Sequence, residues 1–316
     1  MTTAFLTHPS GLAHVTPPGH PEQVARLAAI TRALEAPAFA GLLRVEPPEA
    51  SDADLRRCHP QDYIDKVRAA IPAGEGWHAL DGDTHVCKGS LEPARRGVGG
   101  CLKAVDLVMA GAARNAFVAM RPPGHHAETR TAMGFCLFGN AAIAAKYALD
   151  HHGLSRVAVV DFDVHHGNGT QDLLWDEPRA LFVSTHQMPL YPGSGGPKER
   201  GAHGQILNLP LPPGADGAAF RDVITKFALP ALDAHRPDLV IVSAGFDAHV
   251  ADPLAALEFE TEDFAWITER LCDVADTHAG GRLVSTLEGG YDLQALAASV
   301  AAHVSVLIRR GAEDDG

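Results

Sequence analysis

Five short apolar runs, each ending in a cluster of His, Asp or Tyr, constrain this chain more than any other feature. They are Ala116-Phe-Val-Ala-Met120, Val157-Ala-Val-Val-Asp-Phe162, Ala180-Leu-Phe-Val-Ser184, Asp238-Leu-Val-Ile-Val-Ser243 and Gly281-Arg-Leu-Val-Ser-Thr286. Nearly continuous apolar character, without alternation, is the pattern of parallel strands buried on both faces. Helical stretches fall between and around the runs: one from Ser90 to about Ala110, then 139–151, 217–234, 262–278 and 292–309. Ser90 is expected to cap the first, and Pro230 to kink the third. Gly111, Gly153 and Gly280 stand where helices should stop. Alternating strand and helix predicts an α/β fold built on one open parallel β-sheet with helices on both faces. No internal repeat or long linker interrupts the 316 residues, so a single domain spanning 1–316 is expected. The Pro/Gly-rich segments 187–204 and 210–217 read as long loops at the C-terminal ends of the strands, over an active-site face.

Composition narrows the chemistry. Lys and Arg number 26 against 39 Asp and Glu, a formal net charge of −13. Such a field repels polyphosphate, so nucleic acid is not an expected ligand, whereas a cationic amine or Lys-rich peptide is tolerated. The five Cys (Cys58, Cys87, Cys101, Cys136 and Cys272) are odd in number and form no C-x-x-C. They read as reduced, mostly buried thiols of a cytoplasmic protein. The N-terminus has no basic region followed by an apolar run, so no signal peptide is expected. No apolar stretch reaches the ~18 residues of a membrane span.

Open parallel sheets bind ligands beyond the carboxyl ends of their strands. Here those ends read Arg121-Pro-Pro-Gly-His125-His126, Asp161-Phe-Asp163-Val-His165-His166-Gly-Asn168, Ser184-Thr185-His186, Ala244-Gly-Phe-Asp247 and Leu287-Glu288-Gly-Gly-Tyr291. Asp161, Asp163 and His165 alternate along an extended segment, so they share one face, about 7 Å between successive members. Asp163 and His165 from one strand end, with Asp247 from another, make a three-ligand set with an open position, as catalytic zinc requires. His166 is expected to face away, into packing or a backbone hydrogen bond.

His125 and His126 follow a rigid Pro-Pro-Gly turn, which can hold one ring on a metal-bound water and the other on a leaving group. Asp161 and Asn168 are the natural partners for the far ring nitrogens, one charged and one neutral. The charged partner raises the pKa of its His and the amide does not, so the two rings should differ in role. The Tyr291 phenol can stabilise an oxyanion opposite the metal, with Gly289 and Gly290 letting its loop turn inward.

Together these motifs resemble the zinc-dependent histone deacetylases and their bacterial relatives, of the arginase–deacetylase fold. The most specific segments are Arg121-Pro-Pro-Gly-His-His-Ala127, Gly134-Phe-Cys136, Val160-Asp-Phe-Asp-Val-His-His-Gly-Asn-Gly-Thr170 and Ser243-Ala-Gly-Phe-Asp-Ala-His249. The resemblance runs from Gly19-His-Pro-Glu22 to Tyr291 and is greatest to the class II branch, where Asn168 stands in place of a class I Asp. It implies zinc, or iron(II), on Asp163, His165 and Asp247, with His126 as the main general base and acid. His125 would be the electrostatic partner of His126, paired with Asp161, and Tyr291 would polarise the scissile carbonyl. It further implies a substrate channel involving Gly134, Phe135, Tyr191, Gly289 and Leu254, and Arg26 at the pocket bottom where acetate leaves. Asp161, Asp163, His165, Ser184 and Thr185 fall at a site for a monovalent cation, K⁺ or Na⁺.

The expected activity is removal of acetyl or short acyl groups from lysine side chains, in an acylated lysine peptide or small acylated amine. The chief rival is the same chemistry on acetylpolyamines. A binder without turnover ranks lower because every proposed reacting residue is present. A manganese ureohydrolase ranks lower because only one metal site is legible. Leu254, brought to the channel rim by Asp252-Pro253, offers a distal ammonium no counter-charge and so favours acyl-lysine. Gln23-Val24 departs from the Arg-Pro common at those positions, which leaves the packing of the first helix open.

Overall fold

The computed structural model describes residues 2–312; Met1 and residues 313–316 of the expected domain lie outside the described residues. The chain begins with β1 (Thr3–Leu6), α1 (Val24–Ala33), β2 (Leu43–Val45), the one-turn α2 (Asp52–Leu55) and α3 (Gln61–Ala70). An antiparallel ribbon of β3 (Trp77–Ala79) and β4 (His85–Cys87) precedes the long α4 (Leu91–Met109). There follow β5 (Asn115–Val118), α5 (Asn140–His151), β6 (Val157–Asp161), α6 (Asn168–Leu173), β7 (Ala180–Gln187) and β8 (Ile206–Leu211). The last third holds α7 (Gly217–Val223), α8 (Leu229–His235), β9 (Leu239–Ala244), α9 (Thr261–His278), β10 (Leu283–Leu287) and α10 (Leu293–Ala312).

Eight strands form one sheet, in the order β2-β1-β5-β10-β9-β6-β7-β8. Every pairing in it is parallel. Successive residues of a strand point to opposite faces, and both faces are covered. Ala158, Val160, Val240 and Val242 pack with α1, α9 and α10 through Leu27, Ile30, Phe264, Ile267, Leu296 and Val300. Val157, Val159, Leu239 and Ile241 pack on the other face with α4 and α5, through Val98, Leu102, Val105 and Ile143. This two-sided burial is why the strand sequences carry no polar alternation. Phe162 and Phe246 are both buried and sit edge to face at 5.9 Å, just beneath the chemical cluster. Truncating either to Ala would cost about 3–5 kcal/mol.

Three local readings are corrected. Ser90 stands at the N-cap of α4 but does not cap it; its hydroxyl accepts from the Cys87 N–H (2.8 Å) and meets His14 Nδ1 (2.7 Å). Pro230 does not simply kink one helix. The chain passes from α7 through a π-helical turn, Ile224–Ala228, into α8, where Pro230 sits in the first turn. The wider turn accommodates a residue that cannot donate an i→i−4 bond. Residues 210–211 of the expected loop 210–217 belong to β8. Asn208 and Pro210 disguise that strand, and Pro is tolerated there because β8 is an edge.

Candidate active site

Four neighbouring central strands, β5, β10, β9 and β6, bring the motif residues together at their C-terminal ends. Register sets Asp161 beside Ser243 on one side and Ser184 on the other. The segments just beyond therefore converge. Asp163, His165 and Asp247 are buried, with one ligand atom from each within 4.8 Å of the others. His165 Nδ1 lies 3.1 Å from both Asp163 Oδ1 and Asp247 Oδ2. Backbone N–H groups fix the carboxylates: Val164 donates to Asp247 (2.9 Å), His165 to Asp163 (2.9 Å) and Gly289 to Asp163 (2.8 Å). A Cβ on Gly289 would fall on the Asp247 and Asp163 oxygens, so this glycine permits close approach rather than loop movement. Burial and the Asp163 charge push the Asp247 pKa up. Such crowding is what a cation between the groups relieves. One imidazole nitrogen and two converging buried carboxylates fit a zinc-type divalent ion with a further coordination position.

The His turn is held from below by Glu288. One of its carboxylate oxygens accepts from Gly124 N–H (2.7 Å) and His125 N–H (3.1 Å), and the other from the Ser243 hydroxyl (3.1 Å). The two imidazoles then stack at 4.0 Å between centroids. His125 Nδ1 meets Asp161 Oδ2 at 2.9 Å, and His126 Nδ1 meets Asn168 Oδ1 at 2.7 Å. Asn168 Nδ2 donates to Glu128 Oε1 (2.8 Å), which fixes the amide so that Oδ1 faces the ring. His126 Nδ1 is thereby the protonated nitrogen and Nε2 carries the free lone pair. Burial lowers the His125 pKa, but the Asp163 and Asp161 charges outweigh it and hold His125 well above the usual value. Burial, together with the His125 charge, holds His126 well below it. The pair thus divides into one protonated and one neutral ring.

A cavity of about 510 Å³ opens above these groups. His126, Gly134, Phe135, His165, Tyr191, Leu254 and Tyr291 from the sequence reading all line it. Tyr191 meets His126 edge-on at 5.2 Å, and Phe135 meets Tyr291 at 5.9 Å. The Arg26 guanidinium lies 4.8 Å from the centre of the Tyr291 ring, and the Tyr291 N–H donates to Asp252 Oδ2 at 2.7 Å. Burial pushes the Tyr291 pKa well up, so the phenol keeps its proton for donation.

Other expected residues stand behind the cavity wall. Arg26 is fully buried and donates to the main-chain oxygens of Gly290 (2.6 Å) and Glu288 (2.6 Å), and to Glu22 Oε1 (2.9 Å). It braces the Tyr291 loop rather than lining the cavity, because its donors are taken up by that loop and by Glu22. The same contacts settle the first helix: Glu22, just before Gln23, also pairs with Arg121. Thr185 Oγ1 is 3.5 Å from the Asp161 carbonyl, and Ser184 Oγ bonds His186 Nδ1 (3.0 Å). His166 turns away as expected, but its partners are the side chains of Ser194 (2.8 Å) and Gln171 (3.1 Å), not backbone. Loop 187–204 does reach the cavity through Leu190 and Tyr191. Sequence reading gave Asp252 only the turn before Leu254, and assigned no role to Glu22, Glu288, His20 or Asp83. The last two line the cavity, and the His20 ring bonds the Asp83 carbonyl at 2.8 Å. A Glu among the apolar residues and glycines of Leu287-Glu-Gly-Gly was the available signal for Glu288.

Fold and site together define an amide-cleaving hydrolase of the deacetylase class. The chain belongs to the histone deacetylase family: the histone deacetylase domain matches residues 20–307. It is 44% identical over 253 residues to a histone deacetylase-like amidohydrolase of Pseudomonas aeruginosa, covering 79% of this chain and 66% of that protein. It is 36% identical over 300 residues to a probable deacetylase of Archaeoglobus fulgidus, covering 93% and 82% respectively. The crystal structure of the HDA15 HD domain superposes with a TM-score of 0.91 at 32% identity, covering 98% of this chain and 90% of that one. The expected α/β sheet with helices on both faces is therefore the fold of this family.

Proposed function

We propose that this protein is a zinc-dependent amidohydrolase that removes acetyl or short acyl groups from lysine side chains or lysine-like amines. The observation that carries the reading is the buried Asp163–His165–Asp247 set, placed beside His126 and Tyr291 on the floor of one cavity. Bound there, zinc supplies Lewis acidity, polarising the acyl carbonyl and lowering the pKa of water from 15.7 towards ~7. His126 Nε2, whose lone pair Asn168 leaves free, takes the proton of the attacking water. The Tyr291 phenol donates to the developing oxyanion, and protonated His125 adds positive charge beneath it. His126 then returns its proton to the departing amine. Phe135 and Tyr191 flank the apolar stem of the acyl-lysine.

Iron(II) suits the same donors. A monovalent cation, K⁺ or Na⁺, is proposed by Asp161, Asp163, His165, Ser184 and Thr185, supported by the pairing of Asp161 with Ser184. One sheet carrying both core layers supports a single catalytic domain. A cytoplasmic location is supported by free, buried cysteines at all five positions. Among the described residues no helix is long and apolar enough to cross a membrane.

An acetylpolyamine substrate is the second reading. Leu254 on the cavity wall disfavours it, but Asp83 lines the same cavity and supplies a negative charge. The test is turnover of metal-loaded enzyme on acetyl-lysine peptides against acetylated polyamines. A higher kcat/KM on the peptides supports the first reading, the reverse order the second, and no hydrolysis of either contradicts both.

A further inference from the structure

A second group of metal-ligating side chains lies far from the cavity. Asp106 near the end of α4 meets His151 and His152 at the end of α5, with one ligand atom from each within 4.8 Å of the others. Both helices end where the chain turns into the N-terminal edges of β5 and β6, the opposite edge of the sheet from the catalytic cluster. We propose that Asp106, His151 and His152 form a second, surface site for a borderline divalent transition metal such as Zn²⁺ or Ni²⁺.

Three features build the site. His152 Nε2 is 2.9 Å from Asp106 Oδ1, and Tyr147 donates its phenol proton to that same oxygen at 2.9 Å. The Asp106 carboxylate is thus held in place by a neutral donor, the role an outer-sphere partner plays around metal ligands. Burial and the Asp106 bond push the Tyr147 pKa to about 12, so the phenol remains that donor. The His151 ring stacks on Tyr147 at 4.6 Å and meets His152 edge-on at 4.9 Å, so both imidazoles are already gathered at the carboxylate. Finally, His151 is the last residue of α5 and His152 its C-cap, the helix end whose carbonyls favour positive charge.

The nearby Arg57 guanidinium, over the Tyr147 ring at 5.1 Å, is paired with Asp150 at 3.7 Å. A bound ion replaces the proton shared by His152 Nε2 and Asp106 Oδ1 and adds His151 as third ligand. Water completes the shell. Two imidazoles and one carboxylate select Zn²⁺, Ni²⁺ or Cu²⁺ over Mg²⁺ or Ca²⁺, which prefer oxygen alone. The ion would tie the ends of α4 and α5 and so stabilise the folded state in proportion to its occupancy.

The test titrates enzyme whose catalytic site is already filled with zinc against further Zn²⁺ and Ni²⁺ by calorimetry, with metal content measured after equilibrium dialysis. Wild type should take up one additional equivalent and unfold at higher temperature as it does so. His151→Ala and Asp106→Asn should each weaken that uptake at least tenfold and abolish the thermal shift, with unchanged kcat. The exposed His151 makes its variant the safer of the two for folding. Wild type that stops at one equivalent under excess metal, or a His151→Ala variant that binds the additional ion undiminished, would overturn the site.

Discussion

Replacing Asn168 by Asp tests the division of labour between the two histidines. In the native site a neutral amide accepts from His126 Nδ1 at 2.7 Å, and burial plus the His125 charge hold that ring well below the usual histidine pKa. A carboxylate at the same distance would favour the protonated ring, an effect of 1–3 pKa units for close opposite charges, or about 1.4–4 kcal/mol. As the proposed base, His126 can take a proton only when neutral. Raising its pKa therefore moves the acid limb of kcat/KM to higher pH by the same amount, and leaves activity far above both pKa values largely intact. The structure adds a complication that can be controlled. Asn168 Nδ2 donates to Glu128 at 2.8 Å, and an Asp there would face a second carboxylate. The two acids would share a proton, which would cancel part of the shift. Asn168→Asp combined with Glu128→Gln removes that competitor and should show the full displacement. The assay is kcat/KM across pH on an acetyl-lysine peptide for wild type, single and double variants. An acid limb that stays in place in both variants would refute His126 as the base.

Three further outcomes follow from the same geometry. Tyr291→Phe keeps the ring between Arg26 and Phe135 and removes one donor, so kcat should fall about 10²–10³-fold with metal content unchanged; steady-state kinetics and metal analysis check both halves. Leu254→Glu places a counter-charge on the cavity wall and should raise the kcat/KM ratio of acetylspermidine to acetyl-lysine peptide by about tenfold or more, measured by competition. His303 is buried between Thr268 (2.6 Å) and Ser285 (2.9 Å), and burial lowers its pKa to about 3. Its folded pKa lies below the unfolded ~6.5, so its contribution is present above that pH and is lost as pH falls towards 3. The unfolding free energy of wild type, from urea melts, should drop more steeply below about pH 6 than that of His303→Gln, by up to ~1.4 kcal/mol per pH unit.

The central strands were legible because burial on both faces leaves an unbroken apolar signature, as in Val157–Val160 and Leu239–Val242. Polar groups at the ends of such runs have few structural uses, so Asp163, His165, Asp247 and the His pair stood out in the sequence. The edges were not legible. Thr3–Leu6 is too short to show a period, Leu43–Val45 is partly exposed, and β8 carries Asn208 and Pro210. Supporting residues were also hidden. Glu22, Glu288 and Asp252 act by holding main-chain atoms or arginines far away in sequence, as when Asp252 accepts from Tyr291 N–H, 39 residues on. No local pattern records such a contact. Asp83 reaches the cavity only because the segment before β4 folds over the end of the sheet, which spacing along the chain cannot reveal.

The account rests on one claim above the others: Asp163, His165 and Asp247 hold the ion on which hydrolysis depends. The direct measurement is tightly bound metal per chain, together with acetyl-lysine hydrolysis, for wild type and Asp247→Ala, each carrying His151→Ala so that the second site is silent, after exhaustive dialysis. Three protein ligands leave no redundancy, so the account expects one equivalent and turnover with Asp247 in place, and neither in the Asp247→Ala chain. Asp247→Ala that retains a stoichiometric, tightly held ion, or that hydrolyses substrate at the wild-type rate, would contradict it.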